Sequence, residues 1–460
     1  MRFTRRRFIG GAAAAAAAVA GGGIYELVDR LGSAPARPVA EPAGMPAEQH
    51  VFDLSSVHSE GVEVLVPPLH SEIVTATLNV KDLRGAQRNL EDVLRTLDGE
   101  YALTPAGLGV TVAWGMPYFE THVPEQARTH LPHDRRAGKP AFLPSRRFPS
   151  DPHTTMLETN DVAVLLRSDR REHIDGAHKA IFDLPFFTVT SIRRGFAGGG
   201  FEGGQSLPKK MAVAAGVPGA DLIPDGAELF LGFTSTQKAG LGPGKIANHE
   251  TLGYVDLRGG YFHGGTHMHL SHISEDLEAW YLNFDFDERV LTAFRPGMTG
   301  VHQGRQTIPQ GPDQVSSEAL LERQFRTTGR FGHSASIQAT SRLLADTVGA
   351  DGTAYPKGTA IPQRADFNTL DNPFAFSADP KRDGMRKGPD AGVHFVVFNP
   401  SSDDFERNRL AMDGVLPGGK KLAVPPRNRA QGFNSVLTTT HRQNFLVPPR
   451  RHRSFPLAEL

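Results

Sequence analysis

Cysteine is missing from all 460 residues, which excludes disulfides, thiolate zinc sites, iron–sulfur clusters, thiolate-ligated haem and cysteine nucleophiles together. Any metal must then be held by His, Asp, Glu, Met or Tyr. An excess of either charge is missing too: 50 Lys+Arg stand against 50 Asp+Glu, so no basic field recruits nucleic acid. The glycine run Gly195 to Gly204 (GFAGGGFEGG) lacks the Lys-Ser/Thr of a phosphate loop, and no Gly-x-Ser-x-Gly elbow marks a hydrolase. What is present is an ordinary folded composition, 39% hydrophobic and 22% charged, made loop-rich by 49 Gly and 34 Pro. The length suits two or three domains, or one large duplicated architecture.

The N-terminus reads as an address. Thr4-Arg5-Arg6-Arg7-Phe8-Ile9 precedes an alanine-dominated run from Gly10 to Gly23, a pattern that resembles a twin-arginine (Tat) export signal. That run is short for a membrane span, which needs about 20 strongly apolar residues. Ala34-Pro35-Ala36 has the small-x-small form of a cleavage site. The expectation is a signal peptide over residues 1–36 and a linker over 37–50. The Tat machinery would be a partner, with a periplasmic or extracellular location, membrane-anchored if the signal stays on. Tat export carries folded proteins, often with a cofactor already inserted.

Beyond the linker, Val62–Val66 alternates as a strand, and Asp82–Leu97 places Leu83, Leu90, Val93, Leu94 and Leu97 on one helical face. Leu108–Gly115 reads as a strand, Arg128–Pro149 as a basic, proline-rich surface excursion, Asp161–Arg167 as a strand, Arg171–Phe182 as a helix and Phe187–Ile192 as a strand. Strand, helix, strand, strand, helix, strand is a ferredoxin-like order. A second set starts at Glu228–Phe233, continues through the strand Thr266–Ile273, a helix from Asp276 and the strand Val393–Phe398, and reaches a helix over Asp404–Met412. The tail Val447–Phe455 reads as a basic surface strap. The fold class expected is α+β: two ferredoxin-like halves with antiparallel sheets, of the dimeric α+β barrel type, over residues 51–215 and 216–460.

Several landmarks in this order resemble those of dye-decolourising (DyP-type) haem peroxidases. They are Gly107–Gly115 (GLGVTVAWG), Phe148-Pro149-Ser150-Asp151 followed by Asn160–Asp169, Ile223–Phe233 (IPDGAELFLGF), and Val393–Phe398 with Asp404-Phe405. The resemblance spans roughly residues 55 to 415. It implies haem b, hydrogen peroxide and a reducing substrate, with His333 in FGHSASIQATSR as the axial iron ligand and Arg364 in IPQRADFNTLDN as the distal arginine. A neutral imidazole binds iron, and a guanidinium stabilises the negative charge that develops as a peroxide O–O bond breaks. The family's Gly-Phe-x-Asp-Gly resembles Gly200-Phe201-Glu202-Gly203-Gly204, so Gly203 stands where the distal aspartate belongs. Glycine accepts no proton, which leaves the neighbouring Glu202 as the substitute acid, with Gly200, Phe201 and Gly203 lining the cofactor.

Two other readings stay open at this point. Tyr261–His272 (YFHGGTHMHLSH) puts His263, His267, His269 and His272 in one short run, suiting Cu, Zn or non-haem Fe. The alternative to both is a non-catalytic haem- or ligand-binding module, and self-association into a homo-oligomer stays open under every one of these readings.

Overall fold

In the computed structural model, residues 23–32, 48–50, 55–59, 62–134, 138–197, 204–227, 229–232, 245–247, 259–293, 318–328, most of 332–370, 389–422 and 432–460 are described. Eight strands carry the fold: β1 (His70–Leu78), β2 (Gly109–Gly115), β3 (Val162–Ser168), β4 (Phe187–Phe196), β5 (Thr266–Glu275), β6 (Phe367–Thr369), β7 (Gly392–Asn399) and β8 (Leu437–Val447). The helices used below are α1 (Glu26–Leu31), α2 (Leu83–Glu100), α3 (Arg171–Phe182), α4 (Leu207–Ala215), α5 (Leu277–Leu282) and α6 (Ser402–Met412).

The strands pair in the order β5-β7-β6-β4-β1-β3-β2-β8, and β8 pairs again with β5, so the ring of pairings closes. Each neighbouring pair in this ring is antiparallel. The fold is mixed α+β with a large, mainly antiparallel sheet. Period-2 alternation then sorts every strand into an inner and an outer face. Ile73, Ala113, Leu165, Met268, Leu270, Phe367, Val396, Phe398 and Phe445 pack together on the inside. Outside, α2 and α3 cover Val112, Trp114, Val164 and Leu166 with Leu90, Leu94, Ile174 and Ile181. Full burial of each such side chain contributes about 1.5–3 kcal/mol. Helix α2 begins where the sequence implies, because the Asp82 carboxylate accepts the Gly85 N–H at 2.9 Å and caps the first turn.

Three sequence expectations are corrected. Val62–Val66 is a strand, but it pairs with Ser55–Ser59 and Lys245–Ala247 in a separate sheet, and the first ring strand is β1. The polar residues of HSEIVTATL hide that strand from a hydrophobicity pattern; Glu72 is buried there with hydrogen-bond partners, His178 Nδ1 at 2.6 Å and Arg194 Nε at 2.7 Å. Among the described residues of Glu228–Phe233 there is a turn instead of a strand, with Gly232 at φ +85° and the Phe230 and Leu231 carbonyls accepting from Tyr281 and Trp280 of α5. The tail is no surface strap: Phe455 and Leu457 are fully buried at positive φ, and Arg453 is buried against Glu91 and Asp98. Strand β8, just before it, went unread because LTTTHRQNFLV is polar over most of its length.

Candidate functional site

The described neighbourhood of His333 and Arg364 lies on the outer side of the ring, beside α6. Ser401 and Asp404 form a capping box that starts α6, and its Phe405 stacks on His269 of β5 with ring centroids 3.4 Å apart. Asn444 of β8 donates its amide N–H to the Leu143 carbonyl, which leaves its oxygen to accept from His269 Nδ1 at 2.6 Å. His269 Nε2 then accepts from the Ser271 hydroxyl at 2.6 Å. Burial and the nearby Arg442 and Arg409 hold this imidazole neutral, well below its ordinary pKa.

Beside it, one aromatic ring gathers three cations. Arg442, Arg146 and Arg409 sit 4.7, 5.4 and 5.4 Å from the Phe148 ring centre. Asp151 holds two of them, accepting from Arg442 Nη2 at 2.8 Å and Arg409 Nη2 at 3.2 Å while also accepting the Phe148 N–H at 2.7 Å. The excursion Arg128–Pro149 is thus not all surface, since Ala141, Phe142 and Phe148 are buried. Burial pushes Arg442 down to about 10 against the pull of Asp151.

Arg364 lies on the two-residue strand Gln363–Arg364, opposite Val397 of β7, with Nη1 3.7 Å from Asp366 Oδ2. His333 lies 4.8 Å from the Phe433 ring centre and feels both Arg364 and Arg409. Burial first, and then those two guanidiniums, push its pKa down to about 4, so the ring is neutral at pH 7. A neutral imidazole offers a lone pair to iron, and flanking guanidiniums attract an oxyanion or a haem carboxylate. In a chain without cysteine this donor set fits a histidine-ligated haem. At the far end of β5, burial and the mutual repulsion with Asp390 and Asp366 raise Glu275 to about 8.

The structure brings His333 and Arg364 into one electrostatic neighbourhood. Gly200, Phe201, Glu202 and Gly203 lie outside the described residues. The four histidines of Tyr261–His272 are dispersed: His263 accepts the Gly259 N–H in a loop, His267 faces Phe142 outside the ring, His269 is held as above, and His272 points inward. Among the described residues no group of three or more His, Asp or Glu side chains is arranged to hold a metal ion. Sequence reasoning missed Arg409, Arg442 and the Phe148–Asp151 hub, although Phe148 and Asp151 belong to one of the landmarks quoted for the family resemblance. It also missed an inner row in register across three strands, His394 of β7, His272 of β5 and His441 of β8, with His272 and His394 rings 5.0 Å apart.

A family model described as "Family of unknown function (DUF7405)" matches residues 68–449. Among proteins with curated descriptions, none matches this sequence. Solved structures with a similar course of the chain include the dye-decolorizing protein from V. cholerae, at 14% identity and a TM-score of 0.45, covering 85% of this chain and 97% of that one. The DyP-type peroxidase from Cellulomonas bogoriensis has 18% identity and a TM-score of 0.48, covering 83% and 90%. A variant of Rhodococcus jostii RHA1 DypB in complex with heme has 14% identity and a TM-score of 0.44, covering 84% and 95%. The likeness to DyP-type peroxidases thus extends over most of the chain at low identity.

Proposed function

We propose that this chain, which belongs to the family of unknown function matched over residues 68–449, is an exported haem-binding protein with peroxide-dependent oxidoreductase activity. The observation that carries the reading is the buried His333 imidazole within the field of Arg364 and Arg409, which burial and those two guanidiniums hold neutral. In this reading the frame is two ferredoxin-like halves, His333 would hold haem b through its imidazole nitrogen, and the haem would supply the redox chemistry. Arg364 would supply the fixed positive charge that steadies negative charge developing on a peroxide oxygen. Arg409 adds a second positive charge near the imidazole, holding it unprotonated and available to iron.

Gly203, where the resemblance implies an aspartate, leaves no carboxyl at that position to take the peroxide proton. The expected activity is therefore slow oxidation of dyes or phenols by peroxide, favoured by acid and raised by Gly203→Asp. Protein expressed with haem supply should show a Soret band that His333→Ala abolishes; an identical spectrum for the variant removes the haem assignment. A Soret band without turnover above free haemin would leave haem binding and withdraw the enzymatic part.

A further inference from the structure

We propose that residues 24–32 are a permanent part of the folded body, docked in a groove built for them, and that export processing leaves them on the mature protein. Read from sequence, this stretch lies before the Ala34-Pro35-Ala36 cleavage pattern and would be discarded. The packing argues otherwise. Ile24 and Val28 are 0% exposed and Tyr25 is 2% exposed, figures typical of a core and not of a passing leader. They pack among Leu69, Phe196, Leu207, Met211 and Leu370, residues of the body's own second core.

Polar contacts fix the register of the docked segment. The Tyr25 hydroxyl lies 2.9 Å from Thr369 Oγ1 at the end of β6 and accepts the Leu370 N–H at 3.2 Å, both groups being buried. His70 Nε2 lies 2.7 Å from Asp29 Oδ1, where it can donate to the carboxylate. Lys210 Nζ donates to the Leu31 carbonyl at 3.0 Å, joining the end of α1 to α4. Gly32 caps α1 by donating its N–H to the Val28 carbonyl at 2.7 Å, at a place where a Cβ would stand 2.7 Å from that oxygen, 3.3 Å from Leu69 Cδ1 and 3.4 Å from Leu207 Cδ2. Apolar side chains on one side of a short helix, a buried hydroxyl that accepts a strand-end N–H, and a carboxylate facing a histidine together define the ligand that the groove takes. It is the chain's own Ile24–Leu31. Removal up to Ala36 would strip a buried layer from Phe196, Leu207 and Met211 and leave the Leu370 N–H without the phenol. The inference is independent of haem.

N-terminal sequencing and intact mass of the protein recovered from the exported fraction test it directly. The expected N-terminus lies at or before Ile24; one beyond Gly32, on a protein as heat-stable as the full chain, would overturn the proposal. In the full chain, Val28→Asp should lower the melting temperature while the exposed Glu26→Gln leaves it unchanged, and equal melting temperatures would also overturn it. Should Val28→Asp fail to fold, Tyr25→Phe removes only the hydroxyl. Hydrogen exchange of the Leu370 amide should then accelerate several-fold, and unchanged exchange would count against the docked state.

Discussion

Replacing Asp151 with alanine tests how the arginine cluster beside the candidate site is held. Asp151 and Arg442 are each 1% exposed in their side chains and lie 2.8 Å apart, so deleting the carboxylate leaves a buried guanidinium without its nearest counter-charge. Arg409 suffers less, because Asp413 remains 2.9 Å from its Nη1. Breaking one side of a buried ion pair typically costs about 3–5 kcal/mol, mostly the desolvation of the abandoned charge. A urea titration followed by tryptophan fluorescence should therefore show a lower midpoint with an unchanged slope. The companion variant Asp151→Ala/Arg442→Met removes the stranded charge and should recover much of the loss, since apolar replacements of buried pairs are often neutral. A loss under about 1 kcal/mol for Asp151→Ala, or a double variant no more stable than the single one, would refute the reasoning.

Two predictions concern pH, with opposite signs. Glu275 is raised from 4.5 to about 8, so its folded form keeps a proton that the unfolded chain releases; stability is full below pH 4.5 and is lost as pH rises towards 8. Glu275→Gln should flatten that decline in a series of urea midpoints between pH 5 and 9, and an unaltered slope would show that the carboxyl is not buried in this way. The inner histidines act the other way: burial pushes His272 to about 3 and His441 to about 2, so the unfolded chain takes up protons below about pH 6.5 while the folded one does not. Each such proton costs about 1.4 kcal/mol per pH unit as acid is added. His394 is fully buried and neither of its ring nitrogens has a hydrogen-bond partner among the described residues, so His394→Phe should reduce the acid sensitivity by about one proton. Potentiometric proton uptake on acid unfolding checks this, and an unchanged count would place the histidine in water.

Local pattern was enough wherever one face of an element meets apolar neighbours and the other meets solvent. The helix Asp82–Leu97 and the strands Leu108–Gly115 and Asp161–Arg167 were legible for that reason, and so was the α+β class. Strands β1 and β8 were not, because a strand covered on both faces can bury Glu72, His441, Arg442 and Asn444 once partners from elsewhere satisfy them. No one-dimensional pattern carries the identity of those partners. At the candidate site, the sequence by itself determined that a metal would have to be held without cysteine thiolate, and it singled out His333 and Arg364. Only the tertiary structure decided that these two share a neighbourhood with Arg409, that His267 and His269 face away from His272, and that Ile24, Tyr25 and Val28 are buried in the core. The physical reason is that neutral imidazoles, stacked guanidiniums and buried carboxyls depend on distance in space, which ring closure sets and chain order does not.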